Sequence, residues 1–211
     1  ADILSGTVNP SGKLTMTFPI AYQDDASSKN FPGNVIKGQK KAGNGLMDAD
    51  PSEIIYEEGI YVGYRYFNTF KVKPAYPFGY GLSYSTFAYS SLTLSSSTFT
   101  DKISINITVT NNGKVAGKEI VQLYLSAPSG QLNKPESELK AFGKTKLLQP
   151  NESQTLTFSL SITDLASFNP ALSAWVADAG IYTVKIGTSS LDIKDKATFT
   201  LEKSQELSKT P

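Results

Sequence analysis

Hydrophobic and polar residues alternate in short runs through most of the chain beyond residue 87. In the clearest run every second position from Ile103 to Val109 is β-branched, and an Asn-Asn-Gly turn follows. Further strand-like runs, separated by turn residues, cover 120–125, 139–148, 156–160, 174–176, 182–186 and 197–201. About seven short strands without an internal helix pattern predict an antiparallel, immunoglobulin-like β-sandwich over residues 87–203.

Residues 56–89 break this pattern because they are dense in aromatic residues and glycine. The stretch holds 12 of the chain's 23 aromatic residues and is interrupted by four glycines and two prolines. Glycine disrupts helix periodicity and proline disrupts strand alternation, so we predict a long extended segment. Because a buried aromatic side chain covers about 150–250 Å², residues 56–86 are predicted to be a tether packed between two folded bodies.

The first 55 residues show too little periodicity to form a core of their own. Residues 1–4 resemble the last turn of a helix ended by glycine, and alternation predicts a short strand over 14–18. The polar, glycine-rich stretch 20–53 predicts a long loop, with a strand pair broken at Pro32 as its only regular structure. Residues 1–55 are therefore predicted to be the end of another domain.

Composition narrows the chemistry that the chain can perform. Twenty basic and 19 acidic residues give a net charge of +1, which predicts neither a nucleic-acid nor an anionic membrane partner. The sequence lacks an apolar run of about 18 residues, and its first residues do not resemble a signal peptide. Without cysteine or histidine, disulfides, a Ser-His-Asp site and a zinc site of Cys or His ligands are excluded within this chain. The polar residues 204–211 are expected to fray as a tail.

Four stretches of the sequence resemble, in the same order, the C-terminal third of glycoside hydrolase family 3 enzymes, typified by β-glucosidases. They are NPSGKLTMTFP, YEEGIYVGYRYF, YPFGYGLSYSTF, and VTNNGKVAGKEIVQLYLS followed by ELKAFGKTKLLQPNES. The resemblance covers nearly the whole chain, from Ala1 to about residue 203.

The resemblance implies a layout of a (β/α)8-type barrel, an α/β sandwich domain and a fibronectin type III-like domain. Residues 1–55 would end the α/β sandwich domain, 56–86 would be the tether, and 87–203 the fibronectin type III-like domain. In this family the nucleophilic aspartate and the acid/base glutamate lie upstream of the positions that this chain matches. We therefore expect no catalytic residue, cofactor or metal ligand within it. The resemblance favours a periplasmic or secreted location.

Glu57 and Glu58 are the most conspicuous candidate acids. Retaining glycoside hydrolysis uses two carboxyl groups about 5 Å apart. Neighbours on an extended backbone point to opposite faces and do not easily flank one bond. We predict instead a structural pairing, in which Arg65 bonds one of the two glutamates.

Other polar candidates have simpler interpretations. Four loop aspartates could suggest a cation site of oxygen ligands: Asp24, Asp25, Asp48 and Asp50. The spacing lacks the glycine of a calcium loop, so solvated acids are the prediction. Asn106 and Asn151 begin glycosylation sequons, which matter only in a secreting eukaryote.

Aromatic side chains could stack on sugar rings, and four are candidates: Tyr22, Tyr61, Tyr64 and Trp175. Trp175 alternates with Ala174 and Val176, so we predict that it lies in the core. The polar segment Ser126–Ser137 is a candidate for the loop that some family members extend toward the outer side of the active-site pocket.

The leading hypothesis is the C-terminal portion of a retaining, exo-acting β-glucosidase, inert alone, whose partners are the N-terminal catalytic portion and, through it, a β-glycoside. β-Xylosidase or arabinosidase specificity is the alternative within the family. A stand-alone carbohydrate-binding or scaffold module is the alternative outside it, and a homo-oligomer stays open because sheet edges can pair. If the chain exists alone, its tether should fold onto the sandwich or drive self-association.

Overall fold

The computed structural model describes residues 1–38, 50–130 and 132–209, and strands dominate them. The forward elements are β1 (Phe18–Pro19), two 3₁₀ turns (Tyr22–Asp24 and Ala26–Lys29), β2 (Asn34–Val35), β3 (Ser52–Glu53), α1 (Tyr64–Thr69) and β4 (Pro74–Tyr76). The later elements are β5 (Phe87–Leu94), β6 (Lys102–Asn111), β7 (Ile120–Ser126), β8 (Glu138–Lys144), β9 (Ser153–Ser161), α2 (Ile162–Leu165), β10 (Ser167–Asn169), β11 (Ala174–Ala177), β12 (Gly180–Gly187), β13 (Ile193–Leu201) and β14 (Gln205–Lys209). No helix in these described ranges is long and apolar enough to cross a membrane.

The later strands form two antiparallel sheets packed face to face. One sheet has the order β5-β6-β9 and the other β13-β12-β7-β8, while β10-β11-β14 make a smaller third sheet. The inward side chains from Ile103 to Val109 on β6 are fully buried, as their alternation predicts. They meet Val121, Leu123, Val184 and Ile186 of the opposite sheet in one core. The structure confirms the mainly β, sandwich fold class.

Two short elements of the later region differ from prediction. Residues 205–209 do not fray, because β14 pairs antiparallel with β11 and Leu207 packs against the core. The one-turn helix α2 follows β9 and is stabilised by a capping box between Ser161 and Asp164. A turn this short leaves no periodicity in the sequence.

The tether is not extended throughout, because residues 64–69 form α1. Gly63 precedes this helix with φ +52°, and Lys71 follows its end with φ +57°. The glycines therefore lie outside the helix, where positive φ turns the chain into it, rather than inside it. The division of the chain at residues 55 and 86 stays a prediction.

The forward region, by which we mean residues 1–84, forms only short elements. Ser5 N–H bonds the Ala1 carbonyl at 2.9 Å, which makes the single helical turn that the sequence predicts. The strand predicted over 14–18 shrinks to β1, which pairs with β4, and Met16 is 58 % exposed. Within the described part of 20–53 the strand pair is β2 with β3; residues 39–49 lie outside the described residues.

Candidate functional site

The aromatic tether packs against the outer face of the four-stranded sheet. The Tyr64 ring lies 4.7 Å from that of Phe78 and 5.9 Å from that of Tyr124, measured between centroids. The Tyr64 hydroxyl accepts the Leu139 N–H at 2.8 Å. Burial raises the pKa of the Tyr124 hydroxyl, which stays neutral. The tether is thus folded onto the sandwich, one of the two outcomes expected for the chain alone.

A line of hydrogen bonds extends this contact along the sheet. Asn68 Nδ2 donates to the Ser190 carbonyl at 2.9 Å. Gln122 Nε2 donates to the carbonyls of Gly79 at 3.1 Å and Thr188 at 2.6 Å. A Cβ on Gly79 would lie 2.0 Å from Gln122 Oε1, so this close approach requires glycine.

Arg65 pairs with a glutamate of the sandwich rather than with one in the tether. Its guanidinium lies 2.8 Å from Glu138 on β8, and Lys140 approaches the same carboxylate at 3.4 Å. The predicted pairing of Arg65 with Glu57 or Glu58 is therefore wrong. Because α1 turns the Arg65 side chain toward β8, its partner is distant in sequence.

Asn9 anchors the forward region to the sandwich and was missed by the sequence reasoning. Its Nδ2 donates to the Ala116 carbonyl at 2.9 Å, while its Oδ1 accepts the Tyr84 N–H at 2.9 Å. Nearby, Lys13 Nζ lies 2.8 Å from Glu119 Oε1, with both side chains mostly buried. The Asn-Pro turn of the first resembling stretch is the signal that could have found this anchor.

The forward region leaves an unusual amount of apolar surface exposed. Of the 26 exposed large hydrophobic side chains among the described residues, 18 lie before residue 85; the most open are Leu4, Tyr56, Leu82, Phe31 and Ile20. In the described part of the same range, Phe67 is the one large hydrophobic residue that is buried. We call the exposed apolar side chains of residues 1–84 the forward face. Monomeric proteins rarely expose so much apolar surface unless another body covers it.

The candidate loop acids have local structural roles. Asp24 accepts the Ala21 N–H at 2.9 Å and Asp25 accepts the Ser27 N–H at 3.0 Å, so both cap 3₁₀ turns. Asp50 lies just ahead of β3, and Asp48 falls outside the described residues. In the ranges that the structure covers, no three Asp or Glu side chains are grouped as a metal site requires.

Trp175 is 46 % exposed, so its predicted core position is wrong. Its neighbours Ala174 and Val176 are the residues that face inward. The indole instead meets the Phe168 ring edge-on, with 5.8 Å between centroids. Alternation shows that the tryptophan and its neighbours face opposite sides of the strand, but it does not show which side is the core.

Two of the three tyrosine candidates pack against other aromatic rings, and the third is exposed. Tyr64 is used in the contact with the sheet, and Tyr61 packs edge-on against Phe70 at 5.1 Å. Tyr22 is 56 % exposed and belongs to the forward face. The structure does not bring these three rings and Trp175 into one sugar-binding platform.

The remaining candidates lie on turns and strands of the sandwich. Asn106 lies on β6, and Asn151 is an exposed turn residue with φ +66°. In the segment Ser126–Ser137, Lys134 bonds Asp178 at 2.6 Å and holds the loop against the start of β12. Residue 131 is outside the described ranges.

The geometry defines a fibronectin type III-like sandwich with the tether packed along its four-stranded sheet. Residues 119–190 match the family model Fn3-like, the fibronectin type III-like domain. The chain is 40% identical over 195 residues to thermostable β-glucosidase B of Acetivibrio thermocellus, covering 92% of the chain and 24% of that protein. It is 35% identical to the exo-α-(1→6)-L-arabinopyranosidase of Bifidobacterium breve, covering 96% of the chain and 24% of that protein.

A solved structure shows the same arrangement. β-Glucosidase 3B of Thermotoga neapolitana, in complex with α-D-glucose, matches with a TM-score of 0.85 and 45% identity, covering 98% of this chain and 26% of that one. The chain thus spans about a quarter of the length of the curated relatives it matches. In sequence and fold it corresponds to a C-terminal part of glycoside hydrolase family 3 enzymes.

Proposed function

We propose that this chain is the C-terminal portion of a retaining, exo-acting β-glucosidase, which completes and braces a catalytic portion located upstream. The relatives at about 40% identity that support this are named as β-glucosidases. The chain aligns with 24–25% of their length, which leaves the larger part of such an enzyme to supply the active site.

The observation that carries the proposal is the forward face. None of the large hydrophobic residues described within residues 1–55 is buried, so this domain remnant does not hold itself together by its own core. It is attached to the sandwich by Asn9 and by the Lys13–Glu119 pair. This arrangement presents the apolar side chains outward, as a surface for the upstream portion to cover.

The catalytic carboxylates belong to the upstream portion in this proposal. Retention requires two carboxyl groups about 5 Å apart on either side of the glycosidic bond. Glu119, Glu136, Glu138 and Asp178 are each held in an ion pair with lysine or arginine. Glu57 and Glu58, which are adjacent in sequence, are poorly suited to flank one bond.

The arabinopyranosidase relative favours a second specificity within the family. Its identity of 35% over 202 residues is close to that of the β-glucosidases, so this part of the enzyme tolerates different sugars. A carbohydrate-binding module is a candidate outside the family role, favoured only by the exposed Trp175–Phe168 pair.

The test is hydrolysis of p-nitrophenyl β-glucoside by the chain, by the upstream portion and by their mixture. We expect activity to require the mixture or to rise strongly on mixing, with β-xyloside and α-L-arabinopyranoside run in parallel to identify the sugar. Hydrolysis by the 211-residue chain alone would overturn the assignment of the carboxylates. A glycan-binding screen of the chain and its Trp175→Ala variant tests the hypothesis of a carbohydrate-binding module.

A further inference from the structure

A cleft of about 550 Å³ lies between the end of α1, the residues that follow it, and the outer face of β12 and β13. Its charged lining consists of four lysines and one glutamate: Lys71, Lys73, Lys185, Lys196 and Glu136. Phe67, Pro74 and Leu191 are apolar residues of the same lining. We call this the lysine cleft, and its charged lining has an excess of positive charge.

Two of these lysines lie directly opposite each other on neighbouring strands. Lys185 on β12 and Lys196 on β13 are register partners, and like charges directly opposite each other destabilise an antiparallel pair. Glu136 lies 3.3 Å from Lys185 and also bonds Lys71, so one carboxylate serves two ammonium groups. Among the described residues, Lys73 and Lys196 have no acidic partner.

Two further unfavourable features converge on the same cleft. Lys71 has φ +57° just beyond the end of α1, a position where glycine or asparagine is usual. Ser190, 5 % exposed, lines the cleft, and its hydroxyl has no hydrogen-bond partner among the described protein groups. Natural proteins tolerate local costs of this kind mainly where they serve a function.

From these features we infer that the lysine cleft binds a small oxyanion, namely a carboxylate or phosphate group on a hydrophilic ligand such as a sugar acid or sugar phosphate. An anion bound among Lys71, Lys73, Lys185 and Lys196 would reduce the repulsion between the opposed Lys185 and Lys196. The apolar part of the lining would contact the body of the ligand. The inference concerns a site within this chain, and it does not rest on the proposed glucosidase activity.

The test is calorimetric titration of the 211-residue chain with inorganic phosphate, glucuronate and glucose, at an ionic strength kept constant with sodium chloride. We expect saturable binding of phosphate or glucuronate and none of neutral glucose; comparing the two anions identifies the preferred group. Changing Lys73→Met and Lys196→Met together should weaken binding about tenfold or more, because hydrogen bonds to charged groups are the stronger ones. Lys144→Met, an exposed lysine of the same sheet outside the cleft, should change affinity less than about twofold.

Thermal melts provide a second readout that does not depend on heat of binding. Without added anion, Lys196→Met should melt higher than the unchanged chain, since it removes the opposed charge. Phosphate also stabilises proteins through its exclusion from their surface, but without saturation. Equal, unsaturable stabilisation by phosphate of the unchanged chain, the Lys73→Met and Lys196→Met double variant and Lys144→Met would overturn the inference. Binding of glucose as tight as that of glucuronate would also overturn it.

Discussion

Replacing Ile20 with serine should weaken association between this chain and the upstream portion of its enzyme. Ile20 follows β1 in the forward face and is 61 % exposed. Burying an isoleucine side chain completely is worth about 1.5–3 kcal/mol. Covering the exposed fraction in the complex should therefore contribute about 1–2 kcal/mol to binding. Losing that contribution raises Kd about 5- to 20-fold.

The chain offers a matched control in Ile181, which is 63 % exposed on the outer side of β12. Ile181→Ser removes the same side chain from the sandwich, so its Kd for the upstream portion should stay within about twofold. Isothermal titration of the purified portions measures both values, and urea unfolding checks that each variant is folded. Equal weakening by the two substitutions, or by neither, would refute the forward face as the docking surface.

Three substitutions within the chain test the packing and electrostatics. Trp175→Ala should lower the free energy of unfolding in urea by less than about 1 kcal/mol, whereas a buried tryptophan would cost about 3–5 kcal/mol. Asn9→Ala should cost about 2–3 kcal/mol in the same assay, because it removes several partly buried hydrogen bonds; a loss below about 0.5 kcal/mol would contradict the anchor. Burial opposes ionisation of Glu136, but the hydrogen bond from Lys71 and the charge of Lys185 outweigh it and hold its pKa below the ordinary 4.5. Stability from this carboxylate is therefore full above pH 4.5 and lost as the pH falls through the lowered pKa, so the melting difference between Glu136→Gln and the unchanged chain should narrow in acid and not widen.

Alternation predicted the sandwich because its strands bury one face and leave the other to solvent. The residues from Ile103 to Val109 are buried at every second position, as that pattern requires. The same reasoning failed for Trp175 because the larger side chain suggested the core, while Ala174 and Val176 occupy it. Local periodicity identifies two faces, and the packing of other strands decides which of them is inside.

The contacts that hold the tether could not be predicted from local patterns. Arg65 bonds Glu138, and Asn68 bonds the backbone at Ser190, across separations of 73 and 122 residues. Helix α1 is too short to give a periodic signal, and the glycines beside it suggested an extended chain instead. The alternation of Leu14, Met16 and Phe18 with polar residues was equally misleading, since it suggested a longer, half-buried strand than the structure has.

Amide hydrogen exchange of the 211-residue chain, alone and bound to the upstream portion of its enzyme, tests whether the forward face is the docking surface. We expect new protection within the described parts of residues 1–84, including the segments around Ile20 and Tyr56. Exchange at Ile181 on the outer side of β12 should not change. Protection confined to the sandwich, or no complex at all, would contradict the role of this chain as a structural complement of the catalytic portion.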